Sequence, residues 1–433
     1  MITLYVFCVI SFALSIDYSI GLISTQAYWE RTGGNKNLAG LVFGLYDGFT
    51  IIVTPILAYL IDSKKLTYKS MFIGCTITNI IGNLIYIFAY FTSSWVMVLV
   101  GRTTAGIGAS CVPLLMCYVA DRIEKKDQQN MIGYVKYIAA LSRSVGPILG
   151  SIFSAFVVGD EIINLYTLAG WVPVLFALIT LFVIFTWTED NPLIENKMDI
   201  MPMNITSIIC FFIPVWIIGF VSTFIYWFYV GNAFVLGTHF FHIVNNNKQL
   251  GNLYYSGLGG YALAFLVFLK FKEKLSGLDG LFFSLVILST SIFFYIAQNN
   301  VMYYVAVGIT TFGYGLTIPS INFLNNTLAK NLRSTLKGYF NIVVIILTIF
   351  QGVARFIGPT LFTISIHQQR DNACNVDGNV YDTSGCNLYK FVFIAVVYNC
   401  VSVILMLVSR YFLSGSIKDS EPIQVAQHLL NDV

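Results

Sequence analysis

Apolar runs of about twenty residues, separated by short polar stretches, recur from one end of the chain to the other. They fall at roughly 2–27, 39–61, 70–91, 95–120, 131–157, 169–188, 205–230, 254–270, 281–298, 301–328, 338–366 and 391–413. Each is long enough, as a helix, to cross a hydrocarbon core about 30 Å thick. In lipid the backbone has no water to bond, and the runs are too long for barrel strands, so they read as helices. The pattern predicts an all-α integral membrane protein with about twelve transmembrane helices in two pseudo-symmetric six-helix bundles. The expected organisation is an N-terminal bundle over 1–187, a cytosolic linker over 188–204, a C-terminal bundle over 205–413 and a cytosolic tail over 414–433. The linker is the one long polar stretch between the sixth and seventh runs, and it holds Asn191-Pro192.

Two stretches repeat at about 210 residues, the scale of half a chain. Thr103, Thr104, Gly106, Gly108 and Pro113 are echoed by Thr310, Thr311, Gly313, Gly315 and Pro319. Arg143 ahead of Gly146-Pro147 is echoed by Arg355 ahead of Gly358-Pro359. Duplicated halves with a site between them are how many secondary transporters are built.

Composition agrees with the pattern: 57% of residues are hydrophobic and 10% charged, well away from a soluble domain. The net charge of +3 is spread among loops, which implies no nucleic-acid partner. Basic residues crowd one set of loops (Lys64, Lys65, Lys69, Arg122, Lys125, Lys126, Lys197, Lys270, Lys272, Lys274, Lys330, Arg333, Lys337), whereas the opposite set is poor in them. The positive-inside rule puts the rich set and both termini in the cytosol. The first residues carry no basic cluster and no cleavage site follows, so a cleaved signal peptide is not expected. Cys374 and Cys386 fall in the last outer loop, where a disulfide between them is expected, with two free thiols as the alternative. His239 and His242 have helical i, i+3 spacing but no third ligand, so no metal site is expected. No cofactor is implied.

Arg102, Gly106 and Gly108 resemble the fourth-helix motif of the major facilitator superfamily, and Ser142, Gly146, Pro147 and Gly150 its fifth-helix motif. Ala58 to Lys65 resembles that family's gating loop in degraded form, with Asp62 kept, Ala58 in place of its glycine and Ser63 in place of its basic residue. The resemblance implies alternating access between two halves, and it associates Arg102 with proton coupling. Within the superfamily, Thr54-Pro55, Gly82 to Tyr86 and Gly101 to Asp121 are similar to the lysosomal branch associated with neuronal ceroid lipofuscinosis. They also resemble the membrane half of SPX-type vacuolar transporters, although no SPX domain precedes the first run. This implies an endolysosomal or vacuolar membrane, with the plasma membrane as the alternative.

Ionisable residues inside spans are costly and mark function or tight pairing. Asp17, Asp47 and Arg102 fall at a common depth, about 10–15 Å from the outer helix ends at 1.5 Å per residue. A carboxylate paired with Arg102 either takes up a proton during turnover, or forms a permanent ion pair that fixes helix packing. Arg143 and Arg355, related by the repeat, either clamp an anion or bond backbone carbonyls next to the prolines. Lys136 is expected near a cytosolic helix end, snorkelling to water. Gln26, Asn83, Asn322, Asn341 and Gln351 are candidate cavity polar groups, and Tyr226 to Tyr229 a candidate aromatic wall.

Protease, P-loop, kinase and hydrolase motifs are missing in any usable context, which argues against an enzyme. The expected activity is secondary transport of a small solute, favouring an anion and coupled to protons, by a monomer in a lipid bilayer. An anion channel on the same fold, and a membrane receptor or scaffold that transports nothing, remain alternatives.

Overall fold

A computed structural model describes residues 2–21, 24–35, 38–122, 125–156, 162–188, 205–229, 247–275, 278–296, 300–332, 345–357 and 404. Among the described residues every regular element is a helix. In chain order these are α1 (Ile2–Ile20), α2 (Thr25–Arg31), α3 (Ala39–Asp62), α4 (Tyr68–Thr92), α5 (Trp95–Ala109), α6 (Cys111–Arg122), α7 (Lys125–Phe156) and α8 (Leu165–Trp187). They continue as α9 (Ile205–Tyr229), α10 (Asn247–Leu275), α11 (Leu278–Ile296), α12 (Asn300–Leu332) and α13 (Ile345–Ile357). The run at 391–413, Cys374, Cys386, Asn341, Gly358, Pro359, His239 and His242 lie outside the described residues.

Local sequence explains several helix ends. The Thr67 side chain opens α4 by accepting from the Ser70 N–H at 3.2 Å. Asn164 and Thr167 form a reciprocal capping box at the start of α8. Among the described residues five stretches, including Ala39–Asp62, Tyr68–Thr92 and Tyr166–Trp187, are long and apolar enough to cross a membrane. Their outward faces carry large apolar side chains: Ile77, Ile81 and Phe88 on α4, and Leu175, Leu178, Phe182 and Phe185 on α8. Surfaces of that kind suit lipid and would be a liability in water.

Two expected spans are divided. The run at 95–120 becomes α5 and α6, with the break at Ser110. Pro113 has no N–H for the Ala109 carbonyl, so the ladder is interrupted there. Side chains of α3 take up neighbouring carbonyls: Thr50 Oγ1 donates to the Gly106 carbonyl at 2.8 Å and Thr54 Oγ1 to that of Ser110 at 3.2 Å. The run at 2–27 becomes α1 and α2 on either side of Gly21. A Cβ on Gly21 would lie 2.8 Å from Thr25 Oγ1 and 3.2 Å from Arg102 Nη2, so the turn leaves room for the arginine.

Helices α1, α3, α4, α5, α7 and α8 pack on one another, and α12 packs on α9, α10 and α11. Helix α7 touches both groups through α10 and α12. The motif glycines mark the closest approaches. Gly106 brings α5 onto the Tyr46 backbone of α3, Gly108 meets Asn79 and Cys75 of α4, and Gly146 brings α7 onto Ser19 of α1. Because the atoms facing Gly106 are backbone, Gly106→Val is expected to destabilise by about 1–3 kcal/mol through overpacking. Thermal unfolding in detergent would check this, with Gly74→Val, which faces open space, as the matched control.

Candidate functional site

Two buried ion pairs organise the interior, and they differ in kind. Asp17 of α1 faces Arg102 of α5 at 3.3 Å, with both side chains essentially inaccessible. Asn79 Nδ2 donates to Asp17 Oδ2 at 2.6 Å and the Tyr46 hydroxyl donates to the same oxygen at 3.2 Å. Arg102 Nη2 also donates to the Asp17 backbone carbonyl at 3.4 Å. The guanidinium lies between the rings of Tyr46 and Tyr86, 5.1 and 5.5 Å from their centroids. Asn83 joins this cluster by donating to the Asn79 carbonyl and to Asn79 Oδ1, so it does not line the central cavity.

The second pair joins distant parts of the chain. Asp47 of α3 meets Arg355 of α13 at 3.2 Å, with 3% and 15% of their side chains accessible. The partner of Asp47 is therefore Arg355, not Arg102. Around this pair α3 and α13 touch closely. A Cβ on Gly352 would lie 2.5 Å from Ile51 Cγ1, and one on Gly48 would lie 3.5 Å from Phe356.

Asp47 and Arg355 sit on the wall of a cavity of about 70 Å³. Its lining is made of regular helix faces. From α1 come Ser11, Leu14, Ser15 and Tyr18, at i, i+3, i+4 and i+7. From α7 come Lys136, Ala139 and Arg143, from α12 Tyr314 and Ile318, and from α13 Thr348, Gln351 and Arg355. Tyr46 and Thr50 of α3 and Ala109, Val112, Pro113 and Met116 around the α5–α6 break complete it. The repeat-related arginines Arg143 and Arg355 thus face one space, while Arg355 Nε also donates to the Gln351 carbonyl at 3.4 Å.

Lys136 is the residue whose position most departs from expectation. Helix α7 starts at Lys125, so Lys136 lies about 16 Å along it at 1.5 Å per residue, well inside the span. It shares a face with Arg143, two turns on, and lines the cavity instead of snorkelling. The spacing 136, 139, 143 was a signal for this.

Behind Tyr314 lies an aromatic layer. Tyr226 stacks on Tyr314 at 4.1 Å between centroids, and Trp227 meets Tyr18 edge-on at 4.9 Å. Tyr226 and Trp227 therefore back the cavity; the side chains of Phe228 and Tyr229 lie outside the described set, as do those of Gln26 and Asn322. On α7, nearer its start, Tyr137 packs on Phe265 and Phe268 of α10. The α3–α13 seam thus forms one wall of the cavity. Among the described residues no group of three or more metal-ligating side chains occurs. Asp62 closes α3 at the turn before α4, away from the cavity.

One carboxylate, Asp47, faces three cations, Lys136, Arg143 and Arg355. Asp47 is matched by Arg355, whereas Arg143 and Lys136 have no carboxylate at ion-pair distance among the described residues.

The family model described as Major Facilitator Superfamily matches residues 5–359. Among curated proteins, an uncharacterized protein of Schizosaccharomyces pombe, CC613.01, is 27% identical over 189 residues, covering 40% of this chain and 34% of that protein. An uncharacterized MFS-type transporter of the same yeast, C330.07c, is 25% identical over 166 residues, covering 36% of this chain and 33% of the relative. The match to these relatives spans about a third of their length. The fold is similar to that of the human organic anion transporter MFSD10 (TETRAN), with a TM-score of 0.66 and 12% identity over 93% of this chain and 98% of that one. At that identity the likeness speaks to the fold alone.

Proposed function

The chain belongs to the major facilitator superfamily, and on that premise we propose that it is a transporter that carries a small anion together with protons. The carrying observation is the cavity in which Asp47 is the single carboxylate among three basic side chains, Lys136, Arg143 and Arg355. Its ligand site is Arg143 with Arg355, assisted by Gln351. Asp47 is the proton carrier, because one ion pair at a cavity wall holds it. Asp17, by contrast, is held by Arg102, Asn79 and Tyr46 away from that wall, and serves packing.

The coupling follows from charge balance. Ionised Asp47 occupies Arg355. A proton on Asp47 frees that guanidinium for the anion, so proton and anion favour each other's binding by the same factor. Besides Arg355, the other chargeable groups lining the cavity around Asp47 are Tyr18, Tyr46, Lys136, Arg143 and Tyr314. Loss of the Asp47–Arg355 bridge also loosens the α3–α13 seam, which gives binding a purchase on alternating access. We take the arrangement to be two six-helix bundles with both termini cytosolic, and on the branch resemblance we place it in an endolysosomal or vacuolar membrane.

The test is anion uptake into proteoliposomes holding a luminal pH dye. An anion gradient is expected to drive acidification of the lumen in wild type. In Asp47→Asn the acidification is expected to fall to background while anion exchange persists. Anion current with no pH change in wild type would overturn coupling and make the protein a channel.

A further inference from the structure

We infer that the ligand is an anion bearing a hydroxyl next to its acid group, and that Ser15, Tyr18 and Asp47 form the subsite that takes the hydroxyl. This rests on the anion reading above and adds a second chemical group to it.

Polar groups on the cavity wall divide into those the protein already satisfies and those it does not. Ser11 donates to the Val135 carbonyl at 3.0 Å, the Tyr46 hydroxyl to Asp17 at 3.2 Å and Thr50 to the Gly106 carbonyl at 2.8 Å. The Tyr314 hydroxyl pairs with Thr223 Oγ1 at 3.4 Å. Three atoms on the same lining differ. Ser15 Oγ, Tyr18 Oη and Asp47 Oδ2 are buried with no hydrogen-bond partner among the described residues, and their residues are 4%, 5% and 2% exposed. Ser15 and Tyr18 stand at i, i+3 on one face of α1. Tyr18 lies close enough to Asp47 to feel its charge, yet not in bonding geometry, so a group set between them is free to bond both.

Buried donors and acceptors are costly to leave unmet, and water can serve them only while that part of the cavity is wet. A ligand that fills it must offer the same bonds. A methyl group there strands all three atoms, whereas a hydroxyl answers them, because it donates and accepts at once.

An ammonium is the rival group. It suits only an ionised carboxylate, and Arg143 and Arg355, which stay protonated, repel it from the same wall. A hydroxyl suits Asp47 with or without its proton, as the coupling above requires. Asp47 Oδ1 is the atom that meets Arg355, at 3.2 Å. A hydroxyl at Oδ2 therefore sits beside an anion held by that arginine, which puts the two groups on adjacent carbons, as in a 2-hydroxy acid.

The experiment compares acids that differ at one position, on purified protein at fixed pH and ionic strength. Lactate is set against propionate and alanine, and glycolate against acetate, reading thermal stabilisation and inhibition of radiolabelled lactate uptake into proteoliposomes. Wild type is expected to bind each hydroxy acid at least about tenfold more tightly than its counterpart lacking the hydroxyl, and alanine no better than propionate. Ser15→Ala and Tyr18→Phe are each expected to lower that ratio at least about threefold. Both are small changes, and Tyr18→Phe keeps the ring that packs on Tyr46 and Trp227. Equal binding with and without the hydroxyl, or a ratio unchanged in both variants, overturns this inference but leaves the anion reading standing. Flux of phosphate or sulfate with no binding of these acids does the same. Tighter binding of alanine than of lactate overturns it in favour of an amino acid. No stabilisation and no flux with any anion overturns both readings.

Discussion

Asp17→Ala is expected to cost about 3–5 kcal/mol of stability, the loss typical when one partner of a buried ion pair is removed. The size follows from what is left behind. Arg102 has no exposure, one guanidinium edge pointed at Asp17 and its faces against the rings of Tyr46 and Tyr86. Without the carboxylate, a charge remains in a place that water does not reach, and the Asn79 amide and Tyr46 hydroxyl lose their acceptor. Removing the charge as well should restore much of the loss, since apolar replacement of a whole buried pair is often close to neutral. Asp17→Ala with Arg102→Met is therefore expected to unfold nearer the wild type than Asp17→Ala does. Thermal or denaturant unfolding in detergent reads both. A single variant as stable as wild type would show that the pair contributes nothing to packing and would return Asp17 to the list of proton carriers.

The same contrast shows how far sequence reasoning reaches. Helical spans were legible, because hydrophobic period is a property of the string itself. Pairing was not. Asp17, Asp47 and Arg102 share a depth, but which carboxylate meets the arginine depends on the rotation of α1 and α3 about their axes. Asp47 turned toward a helix some three hundred positions later in the chain, and no local signal carries that. Lys136 was misplaced for a simpler reason. Hydropathy puts it five residues into a span starting at 131, and only its shared face with Ala139 and Arg143 turns it to the cavity. The divided runs had visible causes in Gly21 and Pro113, but helix breaks depend on whether neighbours such as Thr50 and Thr54 take up the freed carbonyls.

Arg143→Ala is expected to abolish anion flux, by at least about a hundredfold, while leaving stability unchanged or slightly higher. The two halves of that expectation come from one observation. Arg143 has no carboxylate at ion-pair distance among the described residues, so its removal strands no charged partner there. A bidentate guanidinium contact to an oxyanion, at about 1.5–3 kcal/mol for each charged hydrogen bond, is lost with it, which sets the scale of the flux change. Arg143→Lys should recover only part, because an ammonium keeps the charge but not the planar fork. Arg355→Ala behaves differently: it leaves Asp47 unpaired on the cavity wall, and so should lower both flux and stability. Uptake in proteoliposomes and unfolding in detergent, run on the same preparations, separate the two arginines. A receptor or scaffold whose charges are only structural would reverse the pattern, with Arg143→Ala changing stability and no flux existing to lose.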